Sequence, residues 1–360
     1  MNVLAWPAFE NKTGNPYTRL LYEAVQDRGV SVEDFRLTRA LRGGDDLWHL
    51  HWPDDFLSYP SAWTAAAYVA AELVLMALAR ARGTRIVWTI HDLGPHESPH
   101  PWLERLFWPL FLPMVDGYVT LSEHARTAAL ERWPRLRARP GAVVPHGHYR
   151  PAYPAPVPRA VAREEWGLPP DARVLVYVGR IRPYKNVPSL ISAFRGLDDE
   201  RARLLVAGNP STEDLADRIR RAAAGDDRVR LALRFLPEEQ IPSVLGAADL
   251  VVLPYEDIVH SGTALLALSF DRPVLVPGQG AMGELRRHVG ESWVYTYDGS
   301  LGPSTLEAGL AAARSDRRDA RAPLDHLDWS ALAADTVALY RRVLGEAPAP
   351  SSSSSSAPSP

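Results

Sequence analysis

Short apolar runs rich in β-branched residues alternate with stretches of helical periodicity along this chain, and the alternation breaks once, at R-P-A-Y-P-A-P-V-P from Arg150 to Pro158. Parallel strands need a crossover between them, and a helix in each crossover covers a face of the sheet. The pattern therefore predicts parallel sheets with helices on both sides. Proline fixes φ and lacks an N–H, so the Arg150 to Pro158 piece can continue neither a helix nor a central strand and reads as a linker. The expected fold is α/β, with two doubly wound domains facing across a cleft.

The first half begins with M-N-V-L-A-W, a helical N-P-Y-T-R-L-L-Y-E-A-V-Q-D-R-G closed by Gly29, and V-S-V-E-D-F. It continues through D-L-W-H-L-H-W, an alanine-rich helix from Ala62 to Ala81, R-I-V-W-T-I-H-D-L, G-Y-V-T-L-S and A-V-V-P-H-G. The second half carries V-L-V-Y-V-G, R-L-L-V-A-G, V-R-L-A-L-R-F-L, L-V-V-L-P-Y and P-V-L-V-P, separated by helical segments. The expected division is a first domain over 1–150, a linker leading into the second domain over 151–170, and the second domain over 171–326. A C-terminal helix over 327–346 is expected to pack back toward the first domain, and a disordered Ser/Pro tail to occupy 347–360.

Composition narrows the function classes. A length of 360 residues exceeds one ordinary core, and a net charge of -3 without a basic stripe gives no support to nucleic-acid binding. The absence of cysteine rules out disulfides, thiolate metal sites and a cysteine nucleophile, and fits a reducing compartment. M-N-V-L-A-W-P lacks the basic start of a signal peptide, so the chain is expected in the cytoplasm, at or near the inner face of the membrane. The Ala62 to Ala81 segment has the length of a membrane span but contains Glu72 and Arg80, which favours a buried or docking helix.

Ligands of open parallel sheets bind beyond the carboxyl ends of the strands. There, V-L-V-Y-V-G-R-I-R-P-Y-K-N from Val174 to Asn186 ends a buried strand in a glycine and presents two spaced cations, Arg180 and Lys185. Glycine lets backbone approach a pyrophosphate, and the helix after it adds N-terminal amides. The other reading of the two cations is that of solvated loop charges. The remaining strand tips are polar and aromatic: His51, Trp52, Asp54 and Asp55, then His91, Asp92, His96, Glu97 and His100, then Asn209, then Tyr255 to Thr263.

In the order and spacing of these segments the chain resembles the GT-B-fold glycosyltransferases that use nucleotide sugars in bacterial polysaccharide and glycolipid synthesis. D-D-L-W-H-L-H-W, I-V-W-T-I-H-D-L-G-P-H-E and V-D-G-Y-V-T-L-S-E-H-A resemble the family's acceptor domain. Y-V-G-R-I-R-P-Y-K-N-V-P-S-L-I-S-A-F, A-A-D-L-V-V-L-P-Y and S-G-T-A-L-L-A-L-S-F-D-R-P-V resemble its donor domain. The resemblance implies two Rossmann-like domains, a nucleoside-diphosphate sugar as co-substrate, a saccharide or lipid-linked acceptor, and no metal or other cofactor. It implies that Gly179, Arg180, Lys185, Asn186, Phe235, Tyr255, Ser261, Gly262 and Thr263 hold the donor, Arg180 and Lys185 neutralising the leaving diphosphate. It places the acceptor at Asn15, His51, Trp52, Asp54 and Glu97, and the chemistry at His91 and Asp92. Domain closure is expected, with Arg150 to Pro158 as one hinge crossing.

One departure bears on mechanism. Many retaining relatives carry two glutamates across the donor loop, and the aligned positions here are Ile258 and Leu266, neither of which can bind a sugar hydroxyl or a ribose. Without that pair an inverting displacement needs a base on the acceptor side, and Asp92 is the first choice among Asp54, Asp55, Asp92 and Glu97. His91, His96 and His100 invite a metal reading, but Pro95, Pro99 and Pro101 break the helix that such spacing requires. The aromatics Trp52, Phe56, Tyr59 and Trp63, with P-W-L-E-R-L-F-W-P-L-F-L-P from Pro101, suit core packing, an apolar acceptor groove or a peripheral membrane contact. Two other function classes share this architecture: a nucleotide-sugar epimerase or sugar-binding protein, and a non-catalytic transferase homologue.

Overall fold

The computed structural model describes residues 1–10, 15–94, 99–256 and 260–346. Its first sheet contains β1 (Asn2–Trp6), β2 (Ser31–Asp34), β3 (Leu47–Leu50), β4 (Arg85–Ile90), β5 (Gly117–Thr120) and β6 (Gly141–Val143), in the spatial order β2-β1-β3-β4-β5-β6. The second contains β7 (Arg173–Val178), β8 (Ala202–Ala207), β9 (Val229–Ala232), β10 (Leu250–Val252), β11 (Val274–Pro277) and β12 (Val294–Tyr297), in the order β12-β11-β10-β7-β8-β9. Every neighbouring pair of these strands is parallel, as between Leu175 and Leu250 or Val178 and Ala207. The winding direction reverses between β1 and β3 in one sheet and between β7 and β10 in the other. At such a reversal the crossovers diverge to opposite faces and leave a crevice at the strand tips.

Helices Leu37–Arg42, Ala62–Ala81 and Pro101–Phe111 cover one face of the first sheet through a core that includes Trp48, Ile86, Trp88, Phe107 and Phe111. The long helix starts where Ser61 Oγ accepts from the Thr64 amide, and Pro101 opens its neighbour at a position that needs no N–H donor. Helices Tyr17–Gln26 and Trp329–Leu344 pack together on the other face, where Arg28 binds the Ser330 carbonyl. The last helix of the chain therefore belongs by its contacts to the first sheet.

Arg159–Glu165, a helix inside the segment expected as linker, packs on Ile241–Ala247. Its Arg163 forms a buried ion pair with Asp249 at 2.9 Å, and Asp249 also accepts from the Val174 amide at 2.8 Å. A pair so enclosed fixes geometry more than it adds stability, and it ties the chain to the second sheet from this helix onward. At the other end of the proline-rich piece, Arg150 binds Asp271 and the Ala322 carbonyl. The domains also meet directly: Glu284 accepts from the amides of Glu123 and His124, capping the helix Glu123–Arg132 from the opposite side of the cleft.

Candidate active site

A cleft of about 840 Å³ opens between the two sheets where both windings reverse, and a smaller cavity of about 570 Å³ shares its Trp52, Arg180, Tyr184 and Lys185 walls. On the second-domain side the backbone closes in first. Gly179, at the end of β7, has φ +117, and a Cβ there would lie 3.3 Å from Thr263 Oγ1. A Cβ on Gly208, at the end of β8, would stand 1.8 Å from the Gly179 carbonyl oxygen. These positions accept only glycine, and the result is a low floor of main chain under the cleft.

The cations stand at the edge of that floor. Arg180 and Lys185 line both cavities, and Arg182 joins them in the smaller one. The Lys185 ammonium lies 5.2 Å from the Tyr255 ring centroid. Burial is the largest influence on this amine and lowers its pKa, with Tyr184 opposing and Arg180 and Arg182 adding to the fall. A dianionic diphosphate would reverse that pressure by giving each cation a partner. Ser261 caps the helix Gly262–Ser269, its Oγ accepting from the Ala264 amide at 3.0 Å, so its side chain serves the cap rather than a ligand. Gly262 and Thr263, the first residues of that helix, line the cleft, as does Phe235, which is 62% exposed. Asn186 departs from expectation: left-handed at φ 50, it accepts from Ser189 and lines a separate pocket with Tyr255, Tyr297 and Ser300.

The first-domain side is aromatic and acidic. Trp6, Asn15, Trp52, Phe56 and Tyr59 line the larger cleft, and Asn15 Oδ1 accepts from the Tyr149 hydroxyl at 3.1 Å. Asp54, Asp55 and Asp92 line the smaller cavity opposite the three cations. Burial pushes Asp54 up to about 7, and the charges of Asp55 and Asp92 push the same way. Asp55 is also raised, by burial and then by Asp92. Asp54 and Asp55 are both held toward the neutral form, and the charge on Asp92 is felt by both.

His91 lies behind this wall. Trp52 stacks on it at 4.3 Å between ring centroids, and Trp52, not His91, lines the two cavities. His91 Nε2 meets His51 Nδ1 at 2.9 Å, and His51 Nε2 meets the Tyr22 hydroxyl at 2.6 Å. A second set of bonds begins at Tyr340 of the C-terminal helix, whose hydroxyl meets His49 Nδ1 at 2.6 Å, while His49 Nε2 meets the Thr89 hydroxyl at 2.7 Å. Burial lowers His91 and His49 to about 3, so these rings are neutral and each link carries one proton. The chain from His91 through His51 to Tyr22 is self-consistent in two directions only. In one, His51 donates to His91, whose Nδ1 then bears the N–H; in the other, every donor and acceptor exchanges. His51, expected to touch the acceptor, is 1% exposed with both ring nitrogens in this relay, so it supports His91 instead.

Glu97, His96 and Ile258 lie outside the described residues. His100 Nε2 contacts the Tyr59 and Pro60 carbonyl oxygens, away from His91. Sequence reasoning missed Arg182, although its alternation with Arg180 in R-I-R was a visible signal, and it missed Gly208, which read only as a strand end. Tyr149, Tyr153 and Glu238 also line the cleft; they lie in segments the sequence marks, Glu238 in the F-L-P-E-E-Q loop expected to seat the base, but were not singled out as site residues.

Residues 158–288 match the family described as glycosyl transferases group 1. The chain is 34% identical over 343 residues to the GDP-mannose:glycolipid 4-beta-D-mannosyltransferase of Xanthomonas campestris pv. campestris, covering 93% of this chain and 90% of the relative. It is 28% identical over 290 residues to a D-inositol 3-phosphate glycosyltransferase of Mycolicibacterium gilvum, covering 78% of this chain and 62% of that one. Among solved structures, sucrose-phosphate synthase from Thermosynechococcus elongatus superposes with a TM-score of 0.64 at 16% identity, covering 96% of this chain and 94% of its own. Anabaena HepE with UDP and glucose bound gives 0.64 at 17% identity, covering 96% and 95%. At those identities the likeness shows the fold, two Rossmann-like domains facing each other in the GT-B arrangement.

Proposed function

The chain is a member of the group 1 glycosyltransferases, and on that footing we propose that it transfers mannose from GDP-mannose to a glycolipid hydroxyl, with inversion and without a metal ion. The observation that carries this reading is the smaller cavity, where Arg180, Arg182 and Lys185 face Asp54, Asp55 and Asp92. The acceptor oxygen attacks the anomeric carbon, the bond from that carbon to the diphosphate oxygen breaks, and GDP departs with the electron pair. Asp92 takes the acceptor proton. The three arginine and lysine cations stabilise the charge growing on the diphosphate, a task that a metal performs elsewhere. The first amides of the helix Gly262–Ser269 face the same anion.

The stereochemistry derives from the donor and the linkage. An α-linked donor and a β-linked product require a single displacement, with one base and no sugar-binding nucleophile. Leu266, which lines the cleft where many retaining relatives place a glutamate, suits that course. Phe235 offers a ring on which a base can stack, and Glu238 in the same loop also lines the cleft. A carboxylate can accept from both N1–H and the N2 amino group of guanine, whereas uracil offers a single N–H.

Calorimetry with GDP and UDP in EDTA tests the reading. GDP is expected to bind more tightly than UDP, and Arg180→Ala/Lys185→Ala to weaken it by about a hundredfold or more, since each charge-assisted bond is worth about 1.5–3 kcal/mol. Preference for UDP would overturn the donor assignment. A folded protein that binds neither nucleotide would be a non-catalytic homologue.

A further inference from the structure

We propose that Tyr149 is a positioning residue: it ties the donor-side helix Gly262–Ser269 to the start of the helix Tyr17–Gln26, so that an occupied diphosphate site sets Asn15 in the opposite wall of the cleft. Tyr149 stands just before the proline-rich crossing between the domains and is 4% exposed. Its amide donates to Ser269 Oγ at 2.8 Å, and the Ser269 hydroxyl donates in turn to the Leu265 carbonyl at 2.6 Å. Ser269 is the last residue of its helix. At the first, a Cβ on Gly262 would stand 3.0 Å from the Tyr149 hydroxyl oxygen. Tyr149 therefore meets the helix at both ends, and glycine at 262 leaves the room its hydroxyl occupies.

The hydroxyl reaches the first domain. It donates to Asn15 Oδ1 at 3.1 Å, and the same oxygen accepts from the Tyr17 amide, also at 3.1 Å. An amide oxygen has two lone pairs and takes both donors. Asn15 lines the cleft, and Tyr17 opens its helix and packs edge-on against His91, with 5.2 Å between ring centroids. A path of direct contacts thus runs from the helix start that faces the diphosphate, through one side chain, to the residues beside His91.

The bond to Asn15 can be made and released. His146 Nδ1 meets the Gly147 carbonyl oxygen at 2.8 Å, so that nitrogen carries the N–H. Burial lowers the His146 pKa to about 4, and the neutral ring presents a bare Nε2, 3.0 Å from the Tyr149 hydroxyl. The hydroxyl has one proton for two acceptors. Turned toward His146 it lets Asn15 go, and turned toward Asn15 it holds the loop; neither choice disturbs the packing of the ring. A diphosphate drawn to the first amides of the helix Gly262–Ser269 orders the turn against which the hydroxyl rests, and so acts on that choice. The diphosphate rests on the function proposed above; the hydrogen-bonded path does not.

Hydrogen exchange of the full chain, read by mass spectrometry with and without saturating GDP, tests the link. In the wild type GDP is expected to slow exchange by about fivefold or more both in the helix Gly262–Ser269 and in a peptide covering residues 15–22. Tyr149→Phe keeps the ring and its packing, so GDP is expected to bind this variant at the wild-type affinity and to protect the donor-side helix alone. Asn15→Ala is expected to lose the same GDP effect over residues 17–22, and the double variant no more than either single one, as befits two ends of one bond. Protection of the donor-side helix with none over residues 15–22 in the wild type would overturn the proposal. So would a Tyr149→Phe protein in which GDP still protects both segments; a lower melting temperature alone would then make the tyrosine a packing residue. If UDP is the nucleotide that binds, the same comparison is made with UDP and only the choice of base falls. A folded chain that binds neither nucleotide would sink the donor reading and this coupling with it.

Discussion

On the second-domain side of the cleft the chemistry occupies one strand tip and one helix start, Gly179 to Lys185 and Gly262 to Thr263. On the first-domain side it is dispersed: Tyr149 reaches Asn15 across 134 residues of chain, and Tyr340 reaches His49 across 291. Under the proposed function, the difference reflects what each side recognises. A diphosphate is met by backbone amides, glycines and cations, which a short segment supplies in order. A hydroxyl that must be aimed and deprotonated needs side chains fixed by other side chains, and those supports come from wherever the fold brings them.

Four substitutions probe this contrast, from the largest effect to the smallest. Gly208→Ala forces a Cβ onto the Gly179 carbonyl and is expected to cost more than about 4 kcal/mol in a urea melt, with GDP binding lost. A wild-type midpoint would break the claim that the donor floor is built of backbone. Asp92→Asn is expected to lower turnover by about 10² to 10⁴ with GDP affinity intact. Unchanged turnover in a steady-state assay would remove the base from Asp92 and leave Asp54 and Asp55 to be tried.

Tyr22→Phe cuts the relay behind His91 without touching the cleft. We expect about a tenfold fall in kcat, no change in GDP affinity, and a changed pH profile as His51 and His91 lose their common orientation. A stability loss alone, with kcat preserved, would make the relay structural. The smallest effect concerns Glu72, 2% exposed, neither of whose carboxylate oxygens has a hydrogen-bond partner among the described residues. Burial, then the charges of Asp54 and Asp55, hold its pKa well above the ordinary range. The folded state then binds a proton that the unfolded chain releases, so stability falls as pH rises from about 4 toward the folded value. Glu72→Gln is neutral in both states and removes that slope. Thermal melts should show the wild type losing ground to the variant by a few degrees between about pH 5 and about pH 8; parallel curves would mean that Glu72 is ionised in the fold.

Much of the fold and part of the site were legible in the residues, for a physical reason particular to each. Two parallel sheets could be read from apolar runs alternating with helices, because only a crossover helix joins parallel strands at such spacing. Arg180 and Lys185 could be named because a strand tip exposes the residues just past its last buried one. The Asn186 and Ser261 side chains were harder to place: a left-handed turn sets Asn186 on another pocket, and the Ser261 hydroxyl accepts from a free amide at a helix start. His51 follows His49 at strand spacing, one residue past a strand buried on both faces, so its periodicity gave no sign that it would point into a relay rather than the cleft.

Local chemistry was settled by the order of residues alone, namely which glycines bend and which cations come after a strand, because these depend on neighbours within a turn or two. It took the packed molecule to bring Tyr340, near the end of the chain, onto His49, and to set three carboxylates against three cations in one cavity. Those outcomes depend on distances between segments far apart in sequence, which are set by packing two sheets and their helices against one another and are written in no single stretch of residues.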